Sequence, residues 1–240
     1  MSSPAADAGA GPGPGHGTGH HEVIEAEPAA AVSGPLAGDP AVLGLIMFVP
    51  GGVSLGLALS GYTAATPTGG LFSGVDVFLF VTGLGLLIAT IWALALGQSA
   101  VAAIFGIFAG FWISLGIQIT GLVHNWFGIS AGDATAVPPT APDKVLQTYL
   151  IAFIVVFAVL TVATLRLPTA FTAIFALVVA ALAFVLAGVA QASDASLNIA
   201  GYIVFAFTAI VIYVLAGALS LATGGPPAMS LRSGPSPSSE

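Results

Sequence analysis

The sequence predicts an all-α membrane protein, a six-transmembrane-helix bundle with a kinked or broken first helix. Only 5 % of the 240 residues are charged while 57 % are hydrophobic, where a soluble domain carries about 25 % charged residues. The mean hydropathy is +1.06. Six apolar runs, at 41–62, 71–96, 100–123, 146–165, 169–190 and 197–223, are each long enough to cross about 30 Å of hydrocarbon.

Residues 1–37 hold Ala, Gly, Pro, Ser and acids but no Lys or Arg. Such a segment buries too little apolar surface to fold and is expected to be a disordered tail. It has neither the basic start nor the apolar core of a signal peptide. His16, His20 and His21 lie in it among glycines, as solvated residues or weak metal ligands. The six-span domain occupies 38–223. Asp39-Pro40 opens the first span: an Asp side chain accepts from unpaired N–H groups, and Pro fits the first turn. Pro50-Gly51-Gly52 falls mid-span, and a backbone break in lipid is tolerated only against protein or a wet cavity. The triplet therefore marks either a kinked packing helix or one that lines a solute path. A Thr/Pro/Gly linker leads to the second span, which carries Gly83 and Gly85, and a turn at Gly97-Gln98-Ser99 leads to the third. Pro138, Pro139 and Pro142 oppose helix across the loop at 124–145. Arg166-Leu167-Pro168 and the polar segment 191–196 separate the last three spans, and 224–240 is a second disordered tail rich in Pro and Ser. Gly52 with Gly56, and Gly106 with Gly110, have the four-residue spacing that lets helices approach closely.

The formal net charge of −7 comes from 10 acids and 3 bases. No cluster of Lys and Arg is available for nucleic acid or for an anionic lipid surface. Without cysteine there is no disulfide, thiolate metal site or cysteine nucleophile. The chain carries no G-x-S-x-G, no H-E-x-x-H and no phosphate-cradling loop, and no His lies deep in a span. No catalytic residue, metal site or cofactor is expected. Six spans put both termini on one side; Arg166 and Arg232 share it, and Lys144 lies opposite, which favours cytoplasmic termini.

Asp39 and Asp76 lie near span ends, as a cap and an interfacial charge or as working carboxylates. Ser54, Ser114, Gln118, Thr120, Tyr202, Thr208 and Tyr213 offer hydrogen bonds within the spans, to a solute or to neighbouring helices. Phe105, Phe108 and Trp112 share one face of the third span, which either meets lipid, packs against other helices or lines a hydrophobic gate.

Three separated segments resemble the acetate uptake transporter family, the succinate–acetate permease group. DPAVLGL at 39–45 is similar to the family's N-P-A-P-L-G-L, with Phe48 where an aromatic is frequent. GQSAVAAIFGIFAGFWISLG at 97–116 is similar to its tight turn and Y-G-x-F-W-L stretch; Phe108 stands at the tyrosine and Phe111-Trp112 match. AGYIVFAFTAIVIYVLAG at 200–217 is similar to its sixth span. The likeness covers about 38–223, with departures: Asp39 replaces an asparagine, Val42 a proline, and Leu86 and Ala93 stand where relatives carry Gln and Glu.

The resemblance implies a channel or transporter for small monocarboxylates, acetate foremost and succinate next, proton-linked in the family's manner. It also implies a homo-oligomer, a hexamer, in the cytoplasmic membrane, with the bilayer, the carboxylate and protons as partners. The substrate pathway it suggests comprises Asp39, Pro40, Leu43, Gly44, Phe48, Gly51, Gly52, Phe108, Trp112, Gln118 and Tyr202. A carboxylate at position 39 disfavours an arriving anion unless Asp39 is protonated. The loss of basic residues suits a neutral solute such as ammonia, and a scaffold that transports nothing is the third reading.

Overall fold

The first helix, α1, runs Pro40–Leu59. Asp39, in an extended conformation, accepts a hydrogen bond from the Ala41 N–H at 2.8 Å. Pro40 takes the first turn, where its missing N–H leaves no hydrogen bond unmade. The computed structural model describes residues 37–63, 67–126, 142–166 and 168–225. His16, His20, His21, Pro138, Pro139 and Arg232 lie outside the described residues, as do both tails apart from their junctions with the spans. The further helices are α2 (Pro67–Phe72), α3 (Val77–Ala95), α4 (Ser99–Val123), α5 (Pro142–Ala163), α6 (Thr169–Gln191) and α7 (Asp194–Ala222). All but α2 are long and apolar enough to span a bilayer, six in number among the described residues. The chain is an all-α, multi-pass membrane protein.

The helix α1 passes through Pro50-Gly51-Gly52 without interruption, so two half-helices with a free N-terminus at the glycines do not form. The glycines are notches for neighbours. A Cβ on Gly51 would fall 2.5 Å from Thr82 Oγ1, and one on Gly52 would collide with Thr208 Oγ1. One turn on, Gly56 receives the Phe205 ring, and a Cβ on Gly201 would lie 2.7 Å from the Ser60 backbone nitrogen. The spaced pair Gly52 and Gly56 thus brings α1 close to α7, as small residues do where lipid supplies no hydrophobic drive.

The irregular span is the second. The apolar run at 71–96 divides: α2 ends at Phe72, and α3 opens with a π-helical stretch, Val77–Gly83, before Leu84–Ala95. In the widened turn the Leu84 N–H reaches the Leu79 carbonyl, five residues back, the bonding pattern of a π-helix. Gly83 is required there, since a Cβ would lie 2.7 Å from the Phe78 carbonyl oxygen.

Turns are closed by local chemistry. Gly97 has φ 72; Gln98 N–H donates to Ala93 C=O at 2.9 Å and Gly97 N–H to Leu94 C=O at 3.0 Å, the Schellman pattern. Ala192 takes the left-handed conformation at the end of α6, and the Ser193 side chain accepts from Ser196 N–H to start α7. Pro142 begins α5; a proline is tolerated in a first turn, where no i→i−4 bond is due.

The spans pack in the circular order α4, α3, α1, α7, α6, α5, and the α4–α5 seam is the loosest. That seam is closed by aromatics and by the Tyr149 hydroxyl, which donates to the Phe111 carbonyl at 2.6 Å and accepts from the Ser114 hydroxyl at 3.4 Å. Phe157, fully buried, anchors the mostly exposed α5 to the core together with Leu146 and Leu150.

Candidate functional site

Spans that cross in sequence alternate in direction, so α1, α4 and α6 run one way and α5 and α7 the other. Two cavities lie along this axis. The first, about 100 Å³, is lined near the starts of α1, α4 and α6 by Ala41, Leu45, Val101, Phe105, Phe171 and Ile174, among others. The second, about 40 Å³, is lined toward the other end by Leu55, Leu59, Leu115, Leu146, Leu150 and Val185, among others. Leu71 reaches it from the short helix α2. Phe48 and Phe108 alone among the described residues line both. The two cavities are therefore stacked, and these two rings form the partition between them.

The partition is held by its neighbours. Phe48 and Phe108 meet edge to face, with centroids 5.0 Å apart and planes at 82°. Phe108 also packs on Phe157 at 4.8 Å and Phe175 at 5.6 Å, and Phe48 on Trp112 at 5.9 Å and Phe207 at 6.1 Å. Each aromatic pair adds about 0.5–1.5 kcal/mol beyond the area it buries, so neither ring is free to swing without losing several contacts. Every lining residue described is apolar, and no charged side chain lines either cavity among the described residues. The shared face of Phe105, Phe108 and Trp112 points inward: all three are buried and line the cavities rather than meeting lipid.

The residues singled out in the sequence divide into three groups. Phe48, Phe108 and Trp112 are brought together at the partition. Pro40, Gly44, Gly51 and Gly52 are buried in α1 and shape its packing; Gly44 makes room for the Phe105 ring. The structure does not bring the others to the cavities. Asp39 is exposed and caps α1. Leu43 and Gln118 are half-buried and line neither cavity. Tyr202 is 66 % exposed on the outer face of α7, because its neighbours Gly201 and Val204, not it, face the bundle. Asp76 is likewise exposed, without a side-chain cap bond.

Leu55, Leu59, Leu71, Leu146 and Phe175 carry no motif, and the sequence did not single them out. On α1 the spacing of 41, 45, 48, 52, 55 and 59 would have revealed the inner stripe, a heptad-like run ending in two leucines. Three buried polar atoms have no hydrogen-bond partner among the described residues: Thr82 Oγ1, Trp112 Nε1 and Thr208 Oγ1. Such groups are rare in native interiors, since each forfeits its hydration without return.

Comparison with known proteins gives two matches. The sequence profile of the GPR1/FUN34/yaaH family matches residues 24–224. The fold is similar to that of the bacterial acetate channel SatP, with a TM-score of 0.64 and 21 % identity, over 78 % of this chain and 96 % of that one. No curated protein matches the sequence significantly. With six apolar spans, a matched fold and a profile match over most of its length, the chain belongs to the GPR1/FUN34/yaaH family, the acetate transporter family that its three segments resemble.

Proposed function

We propose that this chain is a transmembrane channel or transporter for small monocarboxylates, acetate foremost, with each protomer carrying its own pathway through the two stacked cavities. The observation that carries the reading is the partition itself: two apolar cavities in line, separated by Phe48 and Phe108. Kinship with a family of transporters and a fold shared with an acetate channel support it.

The chemistry of the lining favours the neutral acid as the crossing species. A bare carboxylate in a wholly apolar gap loses its hydration with no compensating charge, a penalty far above that of a protonated acid. The proton then travels on the solute and no titrating side chain is needed at the partition. Acetate suits this passage better than succinate, whose two carboxyl groups must both give up charge. A cytoplasmic-membrane location with cytoplasmic termini and a ring-like homo-oligomer complete the proposal. The oligomer is supported by the family resemblance and by Gly110 on α4 and Gly217 on α7, where a Cβ would meet nothing within 4 Å and a second copy could approach closely.

The same apolar lining favours a second reading, passage of a small neutral solute such as ammonia. Uptake of labelled acetate, methylammonium and glycerol into liposomes containing the full chain separates the two. Acetate influx above that of empty liposomes, rising as the pH falls, is the expected result. Methylammonium influx without acetate influx would replace the monocarboxylate with a neutral amine. No solute faster than in empty liposomes would leave only a scaffold.

A further inference from the structure

We infer that the hydroxyl of Thr208 is the hydrogen-bonding station for the carboxyl group as it passes the Phe48–Phe108 partition. This rests on the monocarboxylate reading above and names one residue of its path.

Thr208 is buried on α7 at the level of the partition and itself lines neither cavity. Val204, one turn before it, and Phe207 line one cavity, and Val211, one turn after it, lines the other. Thr208 is 2 % exposed and its Oγ1 has no partner among the described residues. Helical threonines normally settle this locally by donating to the carbonyl four residues back. Thr90 does so to Leu86, Thr120 to Gly116 and Thr161 to Phe157, each at 2.7 Å. Thr208 does not. Its hydroxyl leans instead across to α1, into the notch left by Gly52. Gly52, which lines neither cavity itself, sits one turn after Phe48 and three residues before Leu55, both of which are lining residues. The residue thus places an unspent donor and acceptor at the level where α7 passes from one cavity to the other, one layer behind linings whose described side chains are all apolar.

A neutral carboxylic acid carries a donor and an acceptor that an apolar passage leaves unpaired. Crossing the partition it leaves water on one side before meeting water on the other, and one hydrogen bond there lowers the barrier by about the net worth of that bond, 0.5–1.5 kcal/mol. A hydroxyl serves the acid in either orientation, donating to its C=O or accepting from its O–H.

Thr82 provides the contrast. It is fully buried, its hydroxyl is also unpartnered, and it leans on the adjacent Gly51. Yet it belongs to α3, none of whose described residues lines either cavity.

The test measures labelled acetate influx into liposomes with the full chain, together with thermal melting of each variant in detergent. Thr208→Val keeps the shape and removes the hydroxyl. It is expected to melt at or above the wild-type temperature, since an unsatisfied buried group is lost, while acetate influx falls about three- to tenfold. Thr208→Ser restores the hydroxyl and should restore influx. Thr82→Val should match wild type in influx. Influx by Thr208→Val equal to wild type, or an equal loss in Thr82→Val, overturns the assignment while leaving the monocarboxylate reading standing. Wild-type influx no faster than empty liposomes overturns both.

Discussion

Phe108 is the residue on which most converges: it lines both cavities and touches Phe48, Phe157 and Phe175. Phe108→Ala removes one half of the partition and joins the cavities. We expect faster acetate influx and admission of longer acids, with a stability loss of about 3–5 kcal/mol from the cavity left behind. Unchanged influx with lowered stability would mean that the rings only pack. At the start of α1, Asp39 is exposed and accepts from the Ala41 N–H, which an asparagine oxygen does almost equally well. Asp39→Asn should therefore leave influx and its pH profile superimposable on wild type. A flattened profile would make Asp39 the proton carrier and return it to the path.

Between elements, the tightest approach is that of α1 and α7, where Gly201 faces backbone rather than side chain. A Cβ there lies 2.7 Å from Ser60 N and 3.0 Å from Gly56 O, and backbone cannot rotate aside as a side chain tip can. Gly201→Ala should force the helices apart and cost about 1–3 kcal/mol, the range for overpacking, read as a lower melting temperature. Because α7 carries Val204, Phe207 and Val211 on its inner stripe, the shift should also change influx. Wild-type stability in this variant would show that the contact has slack. The π-helical turn of α3 belongs at this scale as well. It widens the helix at Val77–Gly83 beside α4, and Gly116 accepts Leu79 there.

For the molecule as a whole, the outward faces decide assembly. The outer surface of α3 is apolar along its length, which lipid satisfies as well as protein does, so the drive to associate is close packing rather than hydrophobic burial. A Cβ added to Gly110 on α4 or Gly217 on α7 would meet nothing within 4 Å, and such bare glycines offer sites for close contact between copies. Native mass spectrometry from mild detergent is expected to show a homo-oligomer of defined size, with six copies as the family resemblance implies. A monomer at every concentration would end the proposed ring.

The number, order and character of the spans were legible in the sequence, because a bilayer accepts backbone only when its polar groups are satisfied within the segment, and the solutions are long apolar runs. So were the Asp-Pro start of α1, the turn at Gly97 and the shared face of Phe105, Phe108 and Trp112, all of which depend on local spacing; that this face turns inward was decided by packing. Two local readings met tertiary context. Pro50-Gly51-Gly52 looked like a break but supplies notches for Thr82 and Thr208, and the real irregularity lies at Val77–Gly83, where no proline announces it. Tyr202 and Gln118 carried polar groups on apolar spans, yet rotation about the helix axis turns them from the cavities, and rotation is set by packing against neighbours. The partition is decided at that same level. Phe48 and Phe108 lie sixty residues apart on different helices, and only the packing of α1 against its neighbours places one ring on the other.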